Sequence, residues 1–153
     1  MLALAVSSVF SYYFIGKNML KSNRESMINT IHVVDYSLDY GGDLQEQLSR
    51  LHEATMDEKS RITIIGEDGT VVADNEIEQV DSLESHLERE EVREALAHGS
   101  GFATRNSESL GESMLYVAVH SKEGPYVVRM AVPYTNMLDY MILIFPVLLL
   151  GTG

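Results

Sequence analysis

The acidic side chains between positions 74 and 81 are spaced closely enough to bind a divalent cation. Asp74, Glu76, Glu78 and Asp81 follow one another at intervals of two or three residues, and carboxylate oxygens are preferred ligands of Ca²⁺ and Mg²⁺. An EF-hand loop beginning at Asp74 would need glycine at its sixth position and glutamate at its twelfth, where this chain has glutamine and serine. The sequence therefore excludes an EF-hand. It leaves three interpretations open: an irregular cation site, an acidic face bridged to lipid headgroups by such cations, or a solvated acidic loop.

No constellation of residues typical of an enzyme occurs in the sequence. The absence of cysteine excludes disulfides, zinc–thiolate sites, iron–sulfur clusters and thiol nucleophiles. The five histidines lack metal-ligand spacing, and neither a G-x-S-x-G serine elbow nor a phosphate-binding G-x₄-G-K-[ST] loop is present. The sequence predicts a chain that is not itself an enzyme and that holds no organic cofactor.

Charge limits the partners of the chain. Its 153 residues, enough for one ordinary domain, include 23 acidic residues against 11 lysines and arginines, for a formal charge of −12. Such a surface repels phosphate backbones. We therefore expect no binding to nucleic acid.

Apolar residues at helical spacing predict one long helix that continues from the apolar start of the chain to Tyr40. The buried stripe of this helix is predicted to be Met27, Ile28, Ile31, Val34 and Leu38. Two glycines, Gly41 and Gly42, are expected to end the helix, and Asp43 is expected to cap a second, shorter one.

The middle of the chain changes to the pattern of β-strands. Two β-branched runs flank Asp68-Gly69, a pair that predicts a hairpin turn. The further predicted elements are a helix over 89–98 and strands over 101–106, 113–120 and 126–133. This order predicts an α+β fold with a five-stranded antiparallel sheet of the PAS-like type, in which the long N-terminal helix covers one face.

A ligand pocket is predicted on the other face of that sheet, where PAS-like folds have their cavity. Arg105, Tyr116 and Arg129 lie on the third, fourth and fifth predicted strands. An arginine in an apolar pocket is costly without an anionic partner, so these residues are candidates to bind a small carboxylate or phosphate. The alternative is that each arginine pairs with a nearby acidic residue at the surface.

Both ends of the sequence are apolar. Residues 2–15 and 141–150 carry no charge, but each run is shorter than the roughly 20 residues that cross a bilayer. We interpret residues 1–16 as the end of a first transmembrane helix and 140–153 as the start of a second. Residues 17–139 then form an extracytoplasmic domain at the cell membrane. The alternatives are a signal peptide at the start and a buried core helix at the end.

Several segments also resemble a known family. The run RITIIGEDGTVVADNE, the predicted helix HLEREEVREAL, and the runs GSGFATRNSESLGESMLYVAV and VVRMAVPY resemble the sensor region of PhoR-like histidine kinases. These kinases are the phosphate-starvation sensors of Gram-positive bacteria. The resemblance covers about 61–134.

The resemblance implies a membrane-anchored homodimer that senses a small ligand or an extracytoplasmic protein. It also implies a parent kinase that autophosphorylates with ATP and Mg²⁺ and passes the phosphoryl group to a response regulator. The chain contains no phosphoacceptor histidine box and no ATP lid, so it is the predicted signal-sensing input. Two alternatives stay open: the sensor of another receptor class, such as a chemoreceptor or a cyclic-dinucleotide enzyme, and a membrane-anchored scaffold that binds proteins.

Overall fold

The computed structural model describes residues 2–55, 59–107 and 112–134. In chain order, the helices and strands are α1 (Leu2–Ser37), α2 (Leu44–Thr55), β1 (Arg61–Gly66), β2 (Val71–Asp74), α3 (Glu90–His98), β3 (Ser100–Ser107), β4 (Glu112–His120) and β5 (Tyr126–Pro133). A 3₁₀ turn, Val80–Ser82, lies between β2 and α3. The predicted α+β fold and the predicted order of elements are confirmed.

Helix α1 is continuous over 36 residues, as the uninterrupted spacing of its apolar residues predicts. Met27, Ile31 and Val34 are buried, because residues three or four apart share one face of a helix. Leu38, directly after the end of the helix, is buried beside them. The predicted fifth member of the stripe, Ile28, is only partly buried. This stripe packs on the sheet and forms the larger of the two hydrophobic clusters.

The end of α1 differs from the prediction, since the helix stops at Ser37 rather than at Tyr40. The backbone N–H of Asp39 donates to the Gln47 side chain, with 2.8 Å between nitrogen and Oε1. That N–H is therefore not available to a helical carbonyl. A side chain of the next helix thus ends α1 before the two glycines are reached.

Helix α2 is fixed at both its start and its side. Asp43 caps it as predicted, since its Oδ1 accepts a hydrogen bond of 3.0 Å from the backbone N–H of Glu46. Gln45 binds the backbone of Asp74 in both directions: Nε2 donates to the carbonyl at 2.7 Å, and Oε1 accepts from the N–H at 3.0 Å. The Gln45 side chain thereby pairs the backbone groups of Asp74 at the outer edge of β2.

The five strands form one sheet in the order β2-β1-β5-β4-β3, and every neighbouring pair is antiparallel. The β1–β2 turn occurs at the predicted Asp68-Gly69. Gly69 has a φ of +87°, which favours glycine, and Asp68 Oδ1 accepts from the Thr70 N–H at 2.9 Å. Strand β5 lies in the centre of the sheet, so its side chains have neighbours on both adjacent strands, β1 and β4.

Helices cover the two faces of the sheet differently. Helices α1 and α2 cover one face with the larger apolar cluster. Helix α3 covers the other face with a smaller cluster, which consists of Ile65, Val92, Ala95, Ala118 and Val127. Strand residues two apart point to the same face, so Arg129 lies on the α3 face with Val127.

Helix α3 lies very close to β3, and one glycine makes this approach possible. A Cβ atom at Gly101 would stand 2.3 Å from the carbonyl oxygen of Glu91 and 2.6 Å from the Glu94 Cβ. Such distances exclude any larger residue unless the helix moves. The first turn of α3, which carries Glu91, is therefore held directly above the sheet.

Within the described ranges, no helix is both long enough and apolar enough to cross a membrane. The interpretation of 140–153 as the start of a second membrane helix falls outside these ranges.

Candidate functional site

The candidate site is built around Arg129, a guanidinium buried on the α3 face of the central strand. Only 5% of this residue is exposed. Its Nη2 donates to Thr63 Oγ1 on β1 at 3.2 Å, and its Nη1 lies 3.5 Å from Glu91 Oε1. Arg129 thus meets one neutral and one charged acceptor, and the contact with the charged acceptor is long for an ion pair, since such bonds measure about 2.7–2.9 Å.

Glu91 joins Arg129 to Arg105. It lies in the first turn of α3 and is fully buried. Its Oε1 faces Arg129, while its Oε2 accepts a short hydrogen bond from Arg105 Nη2 on β3. One carboxylate therefore serves two guanidinium groups, one with each oxygen.

Tyr116 on β4 lies beneath both arginines. The guanidinium carbon of Arg105 is 4.2 Å from the centre of the ring, and that of Arg129 is 5.5 Å from it. Aromatic rings attract cations at such distances. The Tyr116 ring therefore gives the two positive groups a common platform.

The same row of polar groups continues to the other edge of the sheet. Thr63 Oγ1 donates to Asp74 Oδ2 at 2.8 Å, and Arg61 Nε lies 3.0 Å from the same oxygen. We call the connected residues the ion network, which consists of Arg61, Thr63, Asp74, Glu91, Arg105 and Arg129. Together with Tyr116, it touches all five strands and α3.

The electrostatic balance of the inner part of the network is uneven. Burial lowers the pKa of Arg129, and the nearby Glu91 carboxylate opposes that shift. Because a guanidinium stays charged in proteins, Arg105, Arg129 and Glu91 together carry a net charge of +1. Among the buried side-chain atoms of the described residues, Arg129 Nε has no hydrogen-bond partner. Positive charge is therefore in excess at this end of the network, while two carboxylates, Asp74 and Glu76, face Arg61 at the other end. The Arg129 Nε donor is unused.

The three residues predicted from sequence to bind a ligand are brought together here, as the ring contacts show. The alternative, pairing with a nearby acidic residue, also describes what is seen, although Glu91 is buried rather than at the surface. That these residues bind a ligand stays a prediction. Sequence reasoning missed Glu91, although its spacing of four from the inward-facing Ala95 places it on the same face of α3.

The residues predicted to bind a cation do not share one environment. Asp74 faces Arg61 and Thr63, and its Oδ1 also accepts from the N–H of Glu76 at 2.9 Å. Glu78 and Asp81 are exposed. No group of three or more acidic or histidine side chains in the described part of the chain is arranged to hold a metal ion. The cation site stays a prediction to which this geometry adds no support.

No protein-family model and no curated protein matches the chain. Among solved structures, the chain is similar to the Bacillus subtilis YkuI protein, which has an EAL domain and was solved with c-di-GMP and calcium. The TM-score is 0.62 at 15% identity, and the match covers 87% of this chain but 38% of YkuI. The chain thus spans well under half of that protein, and the likeness concerns the fold alone.

Two other solved structures align less closely. One is the extracellular domain of rpHK1S-Z16, a protein assigned to the histidine kinases, with a TM-score of 0.45 at 17% identity over 59% of this chain and 37% of that one. The other is a methyl-accepting chemotaxis protein from Vibrio parahaemolyticus, with a TM-score of 0.47 at 12% identity over 84% of this chain and 95% of that one.

Proposed function

We propose that the chain is the signal-sensing input domain of a membrane-bound sensor histidine kinase, with the α3 face of the sheet as the face that receives the signal. The observation that carries the proposal is the buried cluster in which Arg105 and Arg129 share the single carboxylate of Glu91. The local excess of positive charge around Glu91 and the unpartnered Arg129 Nε suit an anion.

Stability alone is a poor reason for this cluster. The desolvation of buried charges offsets most of their attraction, and well-packed apolar residues are often as stabilising or more so. The other face of the same sheet carries the larger apolar cluster, and its buried acidic residue, Asp35, accepts hydrogen bonds from neutral hydroxyl groups. A buried positive charge in a chain of net charge −12 is better explained by recognition of an anion.

Helix α1 is the proposed output of the domain. Its Asp35 is buried and accepts hydrogen bonds from Tyr40 and from Ser121 Oγ, the latter at 2.5 Å. Burial and the hydrogen bond to Asp35 raise the pKa of Tyr40, so the phenol stays a donor. These contacts fix the end of α1 to the β4–β5 turn, and a change in the sheet is transmitted to the helix.

The wider assembly is part of the same proposal. Residues 17–139 would lie outside the cytoplasm, with membrane helices at 1–16 and 140–153, in a homodimer. The parent kinase would use ATP and Mg²⁺ and would phosphorylate a response regulator in a pathway that responds to phosphate. Such a pathway does not require phosphate itself to bind to this domain.

A different output is the alternative, because a similar fold occurs in YkuI, a protein that has an EAL domain. A chemoreceptor, or an enzyme that acts on a cyclic dinucleotide, would then replace the kinase. The same α3 face would receive the signal in either case.

The test is an output assay on the complete gene product in membrane vesicles, with autophosphorylation from labelled ATP as the readout. The variant Arg105→Gln is expected to abolish the response to the physiological stimulus. The control Arg50→Gln changes an exposed arginine on α2 and should leave the response intact. A normal response in Arg105→Gln would contradict the role of the α3 face, and a lack of any kinase activity would favour the alternative output.

A further inference from the structure

Helix α1 has a second row of residues on the side that is turned away from the sheet. The residues that pack on the sheet, Met27, Ile31 and Val34, are buried. Positions three and four apart share one side of a helix, and exposed residues repeat this spacing along the outer side. We call them the outer row, which consists of Met19, Ser22, Ser26, Asn29, Val33 and Tyr36.

The outer row is uncharged, although the helix that carries it is not. The charged residues of the same stretch all lie outside the row and are Lys21, Arg24, Glu25 and Asp35. Both ends of the row are apolar: Met19 is 50% exposed, Val33 70% and Tyr36 83%. The solvent side of a surface helix usually carries charged and polar residues instead. In a chain of formal charge −12, an uncharged row with exposed apolar ends indicates a surface that a partner covers.

The partner that fits this row is a second copy of the same chain. Alternating steps of three and four residues are the spacing with which one helix packs along another. In a symmetric pair of parallel helices, each residue of the row lies beside its own copy. A charged residue would repel its copy, whereas the amide of Asn29 can both donate and accept a hydrogen bond. The small side chains of Ser22 and Ser26 let the two helix axes approach closely.

We propose that α1 pairs in parallel with α1 of a second copy along the outer row. This inference rests on the proposed function, because membrane helices at 1–16 in both copies require the two α1 helices to run in the same direction. Met19 and Tyr36 then form apolar contacts at the two ends of the seam. Asn29 lies between them and fixes the alignment, since a polar residue within such a seam specifies its register.

This pairing places the two sheets on the outside of the assembly. Each α1 packs on its own sheet with the buried stripe and on its copy with the outer row. The α3 face lies on the far side of each sheet, so the proposed signal face and the dimer interface do not compete for the same surface. The hydrogen bond between Asp35 and Ser121 joins α1 to the β4–β5 turn, and therefore connects each sheet to the seam.

The first experiment uses the absence of cysteine from the chain. Single cysteines are introduced into the full 153-residue chain in detergent, which is then oxidised with copper phenanthroline. Ser26→Cys and Val33→Cys, in the outer row, should form linked dimers about tenfold faster than Lys21→Cys and His32→Cys, because a disulfide needs Cα atoms within roughly 7 Å. The two control positions are also exposed but lie outside the row. A non-reducing gel measures the rate.

The second experiment puts a charge into the seam. Val33→Lys should raise the dissociation constant of the dimer about tenfold, because two like charges then face each other. Light scattering over a range of protein concentrations measures this constant. The control His32→Lys adds the same charge at the neighbouring exposed position and should leave the constant unchanged. Both substituted positions are exposed, and circular dichroism shows whether each variant is folded.

The proposal is overturned if the wild-type chain is monomeric, if cysteines inside and outside the row are linked at equal rates, or if Val33→Lys dimerises like the wild type. Linked dimers between Met19→Cys and Tyr36→Cys chains, when the two are mixed, would overturn the parallel direction.

These results are separate from the output assay. A response that depends on Arg105 in a monomeric chain would keep the sensory role and remove the interface. A dimer that forms through the outer row, in a protein whose Arg105→Gln variant responds normally, would keep the interface and remove the sensory role of the α3 face.

Discussion

The two faces of the same five-stranded sheet are stabilised in different ways. The face under α1 and α2 is a continuous apolar cluster that includes Ile31, Leu48 and Ile64, all without exposed area. The face under α3 has a small apolar cluster at one end. At its other end it has the ion network, with Glu91 fully buried.

This difference shows where the fold is optimised for stability and where it is not. Apolar side chains stabilise the first face without regard to the charge of nearby molecules, because their contribution depends on the area removed from water. The second face depends on the pairing of its charges, since a buried charge that loses its partner is costly. A molecule that offers a charge can therefore change the second face and not the first.

The largest effect is expected from removing only one partner of the buried ion pair between Arg129 and Glu91. Arg129→Met should lower the free energy of unfolding by about 4 kcal/mol, because it leaves the buried Glu91 carboxylate with the partly exposed Arg105 alone. Urea denaturation followed by circular dichroism measures it. The control Arg50→Met removes an exposed ion pair and should cost less than about 1 kcal/mol. Equal effects in the two variants would show that burial of the network does not matter.

On the apolar face, Ile64→Ala should lower the free energy of unfolding by about 3 kcal/mol, through lost contacts and the cavity left behind. The same denaturation experiment, repeated at low and moderate sodium chloride concentration, should give an unchanged loss, since no charge is involved. His32→Ala, at an exposed position of α1, should change stability by less than about 0.5 kcal/mol. A dependence of the Ile64→Ala loss on sodium chloride concentration would contradict the distinction between the faces.

Removing both buried charges would make the second face resemble the first. Arg129→Met combined with Glu91→Leu removes both buried charges and should return the stability to within about 1 kcal/mol of the wild type. A double variant as unstable as Arg129→Met alone would mean that the ion pair itself, rather than its partial loss, determines the stability of this face.

The smallest effect concerns pH and belongs to the charged face as well. Burial lowers the pKa of His86, and the nearby positive charges of Arg129, Arg89 and Arg61 add to this shift. The folded state therefore binds a proton less readily than the unfolded state. Stability is fully present above the unfolded pKa of about 6.5 and is lost as the pH falls through the lower, folded value.

Denaturation at a series of pH values between neutral and mildly acidic measures this loss in the wild type and in His86→Gln. The variant should lose less stability on acidification. His98→Gln, at an exposed histidine, is the control and should follow the wild type. A stability profile that His86→Gln leaves unchanged would assign the acid sensitivity to other groups.

Much of the fold could be predicted from the sequence because its signals are local. The stripe of α1, the Asp68-Gly69 turn and the last three strands depend on spacing and turn residues that are next to one another in the chain. The bounds of β5 agree with the prediction at both ends. The early end of α1 could not be predicted, because it depends on the side chain of Gln47.

The candidate site could be predicted only in part, because its contacts join residues that are far apart in the sequence. Arginines on predicted strands are visible in the sequence, but their partner is not, since Glu91 meets Arg129 across 38 positions. Asp74 shows the reverse case. Its acidic neighbours in the sequence predict a cation site, whereas the pairing of β1 with β2 places its carboxylate beside Arg61.

The continuity of α1 has a geometric consequence. An α-helix turns by roughly 100° and rises by roughly 1.5 Å for each residue, and α1 carries Asp35 near one end and the exposed rings of Phe10 and Phe14 toward the other. A slip of one residue in the contact between Asp35 and Ser121 would therefore rotate those rings by more than a quarter of a turn. The direction in which these aromatic side chains point around the helix axis is therefore set by a contact at the opposite end of the same helix.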